Sequence, residues 1–236
     1  MRFKDEIRQG AGILFQFAPT GLRRHTHAMP GTLLVATHNA HKTGEMRAIL
    51  ADHFDHVTDL TELPGMTPPE ETGTTFAENS VIKALAASRA MPEAFVLADD
   101  SGLEVDALGG APGVYSSRYS GEEATDASNR KKLLAEFARP DRLSLPRTAR
   151  FRCVVTIAKG GEVVAQFDGA VEGRIGEAES GSGGFGYDAL FIPEGQERSF
   201  GELSEAVKNG MSHRARALAK FRDWLRDQGG AEFQSE

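Results

Sequence analysis

The sequence lacks the features that mark extracellular, membrane-spanning or broadly nucleic-acid-binding proteins. Its single cysteine, Cys153, cannot form an internal disulfide, so we expect a reducing compartment, the cytoplasm. No apolar run approaches the roughly 18–20 residues of a membrane span, and we expect no membrane contact. The formal net charge of −7 argues against broad binding to nucleic acid, which needs a positive surface, but leaves room for one nucleotide held by a few lysines.

Two widespread active-site motifs are absent as well. Neither the P-loop G-x-x-x-x-G-K-[ST] nor the nucleophile elbow G-x-S-x-G occurs, which disfavours a generic α/β kinase or phosphatase. A formal G-x-G-x-x-G does occur at residues 181–186. The dinucleotide-binding fingerprint opens a helix, whereas the YDALFIP that follows here has the pattern of a strand, so we reject that interpretation.

The chain is long enough for one large domain or two lobes that share a cleft. Residues 1–29 contain only a short apolar patch and no convincing signal peptide, so we expect a mobile extension or an upstream start. An amphipathic targeting segment is the weaker alternative, because Asp5 and Glu6 interrupt its basic face. We expect residues 30–228 to form a single two-lobed domain and residues 229–236 to form a tail.

Alternating strand and helix patterns predict an α/β fold. The clearest local signals are a capping box, Thr75-x-x-Glu78, which opens a helix to about Met91, and Gly160-Gly161, which is typical of a hairpin. The first and last thirds alternate strand and helix, while the middle has the pattern of antiparallel hairpins. We therefore predict an elongated mixed sheet flanked by helices, in two lobes with an active-site cleft between them.

An adjacent pair of carboxylates is the first candidate for chemistry. The apolar run Ala94–Ala98 leads into Asp99 and Asp100, which we expect at the end of a strand. Oxygen ligands in such a place suit Mg²⁺, which keeps waters and substrate phosphates in its shell. The alternative is a turn in which both aspartates only accept hydrogen bonds from backbone N–H groups.

A polar loop after the first strand is the second candidate. Its residues open a helix, so backbone N–H groups, a hydroxyl, an amide and a lysine meet at the positive end of the helix dipole, an arrangement that binds phosphate. The residues are Thr37, His38, Asn39, Ala40, His41 and Lys42. The alternative is a simple helix cap with Lys42 in solvent. A metal site at the two histidines is disfavoured because no third ligand lies nearby in sequence.

An acidic loop and the helix after it form the third candidate. Asn79 and Lys83 are four residues apart and share one helix face, where both can hold phosphate oxygens. Glu70 or Glu71 would complete a metal shell with the aspartates. The alternative is a charged, solvated face, which the alanines and leucine of the same helix argue against.

Two further clusters suggest a site for a planar base. Phe185 lies among glycines that allow close approach to its ring, although it is equally compatible with the core. Ser212 is a good N-cap, so His213 and Arg214 fall in a first helical turn, where positive charge opposes the dipole. An acceptor-rich partner would explain the placement of these two residues and of Lys208. The alternative is that all three are ordinary surface charges.

Together the clusters resemble those of one family. THNAHK, EETGTTFAENSVIKA, ADDSGLEVDALGGAPGVYSSRYSG, GGFGYDALF and SHRARAL occur in the order and rough spacing of the inosine triphosphate pyrophosphatases, which act on non-canonical purine nucleotides. The resemblance runs from about Thr32 to Leu225. It departs at His38, where many relatives have glycine, and at His41, where they have a small residue or lysine.

The resemblance implies a homodimer that hydrolyses ITP, dITP and XTP to the monophosphate and pyrophosphate with Mg²⁺. It implies that residues 37–42 and Lys83 contact the triphosphate. Glu70 and Asp100 would hold the metal, Asp100 would also accept a proton, and Ser101 would contact the substrate. The base pocket would be formed by Phe185, Gly186, Tyr187, Asp188, Lys208, His213 and Arg214.

The residue types suit this reaction. Cleavage between the α- and β-phosphorus needs an aimed water, a cation against developing charge, and amines on the departing pyrophosphate. Donors in the base pocket favour the O6 acceptor of hypoxanthine or xanthine over the amino group of adenine. The alternative function is a purine-nucleotide-binding module without turnover, which would not need the acid set.

Overall fold

The computed structural model describes residues 29–50, 52–63 and 65–232. Apart from Met29, the N-terminal extension expected over residues 1–29 lies outside the described residues, as do residues 233–236 of the expected tail. Across the described ranges, no helix has both the length and the apolar character needed to cross a bilayer.

One six-stranded mixed sheet forms the centre of the molecule, as predicted. The spatial order is β2-β1-β3-β4-β5-β6; β2, β1 and β3 are parallel, and the remaining neighbours are antiparallel. The strands are β1 (Met29–Val35), β2 (Phe54–Asp59), β3 (Phe95–Val105), β4 (Thr148–Lys159), β5 (Glu162–Ile175) and β6 (Phe191–Pro193). Gly160 and Gly161, both at positive φ, turn β4 into β5, which confirms the predicted hairpin.

Helices flank the sheet and begin at the expected caps. The Thr75–Glu78 capping box is present, and Ser212 Oγ accepts the Ala215 N–H at the start of the last helix. The helices are α1 (Ala40–Leu50), α2 (Phe76–Ala90), α3 (Asp126–Phe137), α4 (Glu205–Met211) and α5 (His213–Glu232).

The core is divided into clusters that define two lobes. In the first lobe, α1 and α5 cover one sheet face through residues such as Met46 and Phe221, and α2 covers the other through Ala84 and Ala87. The second lobe packs α3 and the 187–203 segment against the far halves of β3, β4 and β5. The expected two-lobed arrangement is thus observed.

Three strand predictions need correction. The strand expected to end at Ala98 continues through the acid pair to Val105, because β4 pairs with its whole length. GAVEGRI, which we also expect to form a strand of its own, is the second half of β5. Of YDALFIP only Phe191–Pro193 is a strand, since the Leu190 N–H bonds back to the Tyr187 carbonyl in a turn.

Candidate active site

A cavity of about 380 Å³ lies between the lobes, within the size range of small-molecule sites. It opens where β1 ends: β1 pairs with β3 only as far as Leu97, so the edge of β3 beyond that residue has no β1 neighbour. The predicted site residues that line the cavity are Thr37, His38, Asn39, Lys42, Lys83, Asp100, Ser101, Phe185, Gly186, Tyr187, Asp188, Lys208, His213 and Arg214. Ala40, His41 and Glu70 are not among its lining residues.

The adjacent aspartates point to opposite faces of the sheet, since side chains alternate along a strand. Asp99 faces α1 and α5, and Asp100 faces α2. The expectation that both lie at the end of a strand is wrong, because β3 continues to Val105. Both nevertheless line the cavity, because it reaches around the uncovered edge of β3.

Asp99 binds the cations on its face. Its carboxylate accepts hydrogen bonds from Lys42 Nζ at 3.0 Å, from an Arg214 NH2 group at 3.0 Å and from Ser101 Oγ at 3.1 Å. Burial alone would raise the pKa of Asp99, but the charges of Lys42 and Arg214 outweigh it and hold that pKa well below its usual range. Asp99 therefore stays ionised and orients both cations.

Asp100 has a different environment on the α2 face. Lys83 Nζ donates to Asp100 Oδ1 at 2.8 Å, and the Asn79 amide donates to Oδ2 at 3.3 Å. Burial raises the pKa of Asp100, and the Lys83 ammonium offsets this only in part. Asn79 is fully buried and also accepts the Gly73 N–H, so it positions Asp100 and is not free to hold phosphate.

Glu71, and not Glu70, completes this acid group. Glu71 lines the cavity because its carboxylate pairs with Lys83 Nζ at 3.0 Å and lies 3.6 Å from a guanidinium nitrogen of Arg118, whereas Glu70 is exposed. Lys83 thus lies between two carboxylates; burial opposes its charge, but Asp100, Asp99 and Glu71 raise its pKa. Within the described part of the chain, no cluster of three or more His, Cys, Asp or Glu residues is placed to hold a metal.

The loop before α1 caps that helix and also places the side chain of a lysine in the cavity. Asn39 Oδ1 accepts the backbone N–H groups of His41 at 3.0 Å and Lys42 at 3.3 Å, so those two donors are already used. The Lys42 side chain turns into the cavity toward Asp99 instead of solvent. Those two amides are therefore not free to bind an anion, which leaves the Lys42 ammonium and the helix dipole as the features of this loop that attract one.

The glycine-rich loop holds Phe185 in place. The Phe185 N–H donates to Asp188 Oδ2 at 2.8 Å, and the Gly186 N–H donates to Asp126 Oδ2 at 2.7 Å. Gly184 has a φ of +71°, and a Cβ there would lie 2.1 Å from Asp188 Oδ2. Residue 184 must therefore be a glycine for the Asp188 carboxylate to come this close. The sequence pattern instead predicts that the glycines make room for a ligand.

The buried cations near Phe185 share a carboxylate that sequence reasoning missed. Glu45 of α1 pairs with Lys208 Nζ at 2.7 Å and also accepts a hydrogen bond from Arg214. Burial raises the pKa of Glu45, but Arg214 and Lys208 more than offset this and lower it. The sequence contains one signal for Glu45. It lies three residues after Lys42, and residues three apart share a helix face.

Two buried nitrogens at this end of the cavity have no hydrogen-bond partner within the described structure, His213 Nδ1 and Arg214 Nε. Burial lowers the pKa of His213, and the adjacent Arg214 and Lys208 lower it further, so the imidazole is neutral. The Tyr187 hydroxyl, by contrast, donates to the Ser116 carbonyl at 2.9 Å. Unpaired buried polar atoms are rare in proteins and mark a place where a ligand can bond.

Comparisons with known proteins find relatives that match most of this chain. A model of the Ham1 family matches residues 33–224. A dITP/XTP pyrophosphatase of Geobacillus kaustophilus is 45% identical over 200 residues, which cover 84% of this chain and 96% of that protein. A dITP/XTP pyrophosphatase of Bacillus subtilis is 44% identical over 188 residues, covering 80% and 93%. The structure of a HAM1 protein from Coxiella burnetii has a TM-score of 0.75 at 36% identity, covering 84% of this chain and 99% of that one.

The findings confirm the family resemblance that the five sequence motifs predicted. They also cover the elements that carry the cavity, from β1 to α5. Similarity in sequence and in fold over most of its length means that this chain belongs to the Ham1 family.

Proposed function

We propose that the protein is a Mg²⁺-dependent pyrophosphohydrolase that converts dITP, XTP and ITP to the monophosphate and pyrophosphate, and so removes them from the nucleotide pool. The observation that carries the proposal is a single cavity with two ends of different chemistry. One end holds Lys42, Lys83 and Asp100, and the other holds Phe185 beside buried cations. The first suits a triphosphate and the second suits an acceptor-bearing planar base.

The donor set at the first end fits a magnesium ion. Mg²⁺ is bound in proteins through one or two carboxylates, with waters and substrate phosphates as its other ligands. Asp100 and Glu71 supply two carboxylates, and the Lys83 ammonium already lies between them at 2.8 and 3.0 Å. Asp100 is a ligand by resemblance; at the second position we infer Glu71 in place of Glu70, because Glu71 alone of the two lines the cavity.

The residues of the chain then divide the reaction between them. Asp100 and Glu71 would hold a Mg²⁺ ion, which would supply positive charge against the phosphates and polarise the α-phosphate. Asp100, whose pKa is raised by burial, accepts a proton from the attacking water, and Asn79 keeps the carboxylate oriented. Lys42 and Lys83 bind the departing pyrophosphate, and the neighbouring Ser101 contacts the substrate.

Base selection follows from the second end. Lys208 and Arg214 are donors only, and a purine with oxygen at position 6 offers them an acceptor. Adenine places an amino group there, so a buried donor would face a donor, which discriminates by roughly 10⁴–10⁵. The unpartnered nitrogens of His213 and Arg214 can complete the hydrogen bonds to the base.

We further infer that residues 30–228 form the catalytic unit, that it acts as a homodimer and that it works in the cytoplasm. The absence of a second cysteine to pair with Cys153 supports a reducing compartment. Light scattering of the purified chain tests the dimer, and a monomer at micromolar concentration would contradict it. A truncation to residues 30–228 that unfolds or loses activity would contradict the assigned unit.

The activity is tested by incubating the purified protein with dITP, XTP, ITP and dATP, with Mg²⁺ or with EDTA. We expect pyrophosphate from the first three substrates, in the presence of Mg²⁺ only. Orthophosphate as the product, or equal rates with dATP, would refute the proposal. Asp100→Asn should abolish turnover while nucleotide binding and thermal stability are retained; unchanged function in this variant would favour a binding module.

The metal assignment is tested by a matched pair of neighbouring variants. Glu71→Gln should raise the Mg²⁺ concentration for half-maximal rate at least tenfold, since one of two ligating carboxylates is lost. Glu70→Gln should leave this concentration unchanged, because its side chain is exposed outside the cavity. The opposite result would return the metal to Glu70.

A further inference from the structure

The imidazole of His41 stacks on the ring of Phe185. The ring centroids lie 5.5 Å apart and the planes are inclined by 18°. His41 belongs to the first turn of α1 and Phe185 to the glycine-rich loop, so the stack joins the two lobes beside the cavity. The spacing and the small angle are those of an offset aromatic pair.

Both partners of the stack are held by their surroundings. The Asn39 cap fixes the first turn of α1 through the His41 N–H. Phe185 is fixed by Asp188, while Arg130 donates to the next carbonyl, that of Gly186, at 2.8 Å. The contact therefore joins two anchored segments, and its geometry is a property of the fold.

The surroundings of Phe185 combine buried cations with an exposed aromatic ring. Lys208 Nζ lies 4.7 Å from its ring centroid and Arg214 Cζ lies 5.8 Å from it; both cations are buried. His41, which approaches the same ring, is exposed. A planar ligand on Phe185 thus lies close to buried donors and to an exposed aromatic ring.

We propose that His41 is a specificity-determining residue of the purine site: it stacks on the nucleobase together with Phe185 and forms the outer wall of the base pocket. The resemblance instead assigned His41 to the triphosphate. Its backbone N–H is already bonded to Asn39, and its side chain lies against Phe185, so neither is directed at phosphate. His41 can act in this way only if the cavity receives a purine nucleotide, as proposed above.

The movement required is that of one side chain. Aromatic atoms in contact lie about 3.5 Å apart, so a base between two rings needs ring planes about 7 Å apart. The two rings form an offset pair whose planes are already in contact, so the base has to separate the planes by roughly 3.5 Å, one ring thickness. An exposed side chain at the start of a helix makes such a shift by rotation, without disturbing the buried cations.

The test compares a ligand that has a base with one that has none. We would measure binding of dIMP and of inorganic tripolyphosphate, each with Mg²⁺, by calorimetry, together with kcat and KM for dITP. The variants are His41→Ala, His41→Phe and, as a control, His56→Ala, an exposed histidine of the edge strand β2. Folding is checked by the melting temperature of each variant.

In His41→Ala we expect roughly tenfold weaker dIMP binding and a KM for dITP raised by the same factor. We expect kcat to stay within about threefold and tripolyphosphate binding to be unchanged, because the stack contacts only the base. His41→Phe should restore dIMP binding, and His56→Ala should match the wild type. An effect on both ligands alike would place the imidazole at the phosphates and overturn the proposal.

Two further outcomes would also overturn it: dIMP binding unchanged in His41→Ala, or a folded His41→Phe that fails to restore it. Failure of the proposed function gives a different result. A wild type that binds dIMP but releases no pyrophosphate from dITP would remove the activity and leave the stacking role standing. A wild type that binds no purine nucleotide would remove both.

Discussion

Replacing Asp99 by asparagine removes a negative charge that two cations share inside the protein. The side chains of Asp99 and Arg214 are both only 1% exposed, and that of Lys42 is 17% exposed. Breaking a buried ion pair from one side costs about 3–5 kcal/mol, because the partner charge is left unpaired. Arg214 keeps Glu45, so we expect the lower end, about 3 kcal/mol at pH 7.

The measurement is urea and thermal unfolding of the wild type and Asp99→Asn. For a chain of this length, about 3 kcal/mol lowers the melting temperature by roughly 6–12 °C. Asp168→Asn is the matched control, because Asp168 pairs with Lys220 at 2.7 Å but the two side chains are 62% and 54% exposed. We expect that change to cost less than about 1 kcal/mol.

The same variant has a predicted pH dependence. The folded pKa of Asp99 is lowered, so its contribution is present above the unfolded pKa of about 3.9 and is lost as the pH falls toward the folded value. The difference between wild type and Asp99→Asn should therefore narrow by roughly 1 kcal/mol between pH 7 and pH 3. A free energy of unfolding within about 1 kcal/mol of the wild type at pH 7 would refute the buried ion pair as a source of stability. A difference between the two proteins that becomes larger in acid would refute it as well.

Three further predictions concern the base end of the cavity. Glu45→Gln should lower kcat/KM for dITP at least tenfold while tripolyphosphate still binds, because the buried cations lose their shared carboxylate; equal loss of both ligands would contradict this. The pKa of His213 is lower in the folded protein than in the unfolded chain. Below about pH 6.5 the unfolded chain therefore binds a proton that the folded protein does not bind, and the free energy of unfolding falls. Urea midpoints at pH 7.5 and 5.0 should show this fall in the wild type and a smaller one in His213→Gln. Gly184→Ala should lower the melting temperature more than Gly195→Ala. Both glycines have a positive φ, but only a Cβ at residue 184 would lie against Asp188. Equal losses would mean that backbone strain is the sole cause.

Local sequence patterns predicted the elements that depend on neighbouring residues. The Thr75–Glu78 box, the Gly160-Gly161 turn and the Ser212 cap need only contacts within a few positions of the chain, and all are observed. The predicted end of β3 was wrong because it does not depend on neighbouring residues. Its length is set by pairing with β4, whose residues lie more than forty positions further along the chain.

The order and chemistry of the motifs also made the family recognisable from the sequence, because each motif is a short run of side chains with a defined role. The contacts between motifs were beyond that reasoning. Lys42 reaches Asp99 across 57 positions, Arg214 reaches it across 115, and Arg214 reaches Glu45 across 169. Such pairs depend on how the helices dock on the sheet, which no local pattern encodes.

The sequence by itself determined the α/β class, the caps and turns, the family, and fourteen of the residues that line the cavity. Only the tertiary structure decided that Asp99 and Asp100 serve opposite faces, that Glu71 faces Lys83, and that His41 lies on Phe185. The physical reason is that composition and spacing fix which groups are present on an element. Register, strand length and helix docking fix which of those groups come within hydrogen-bonding distance.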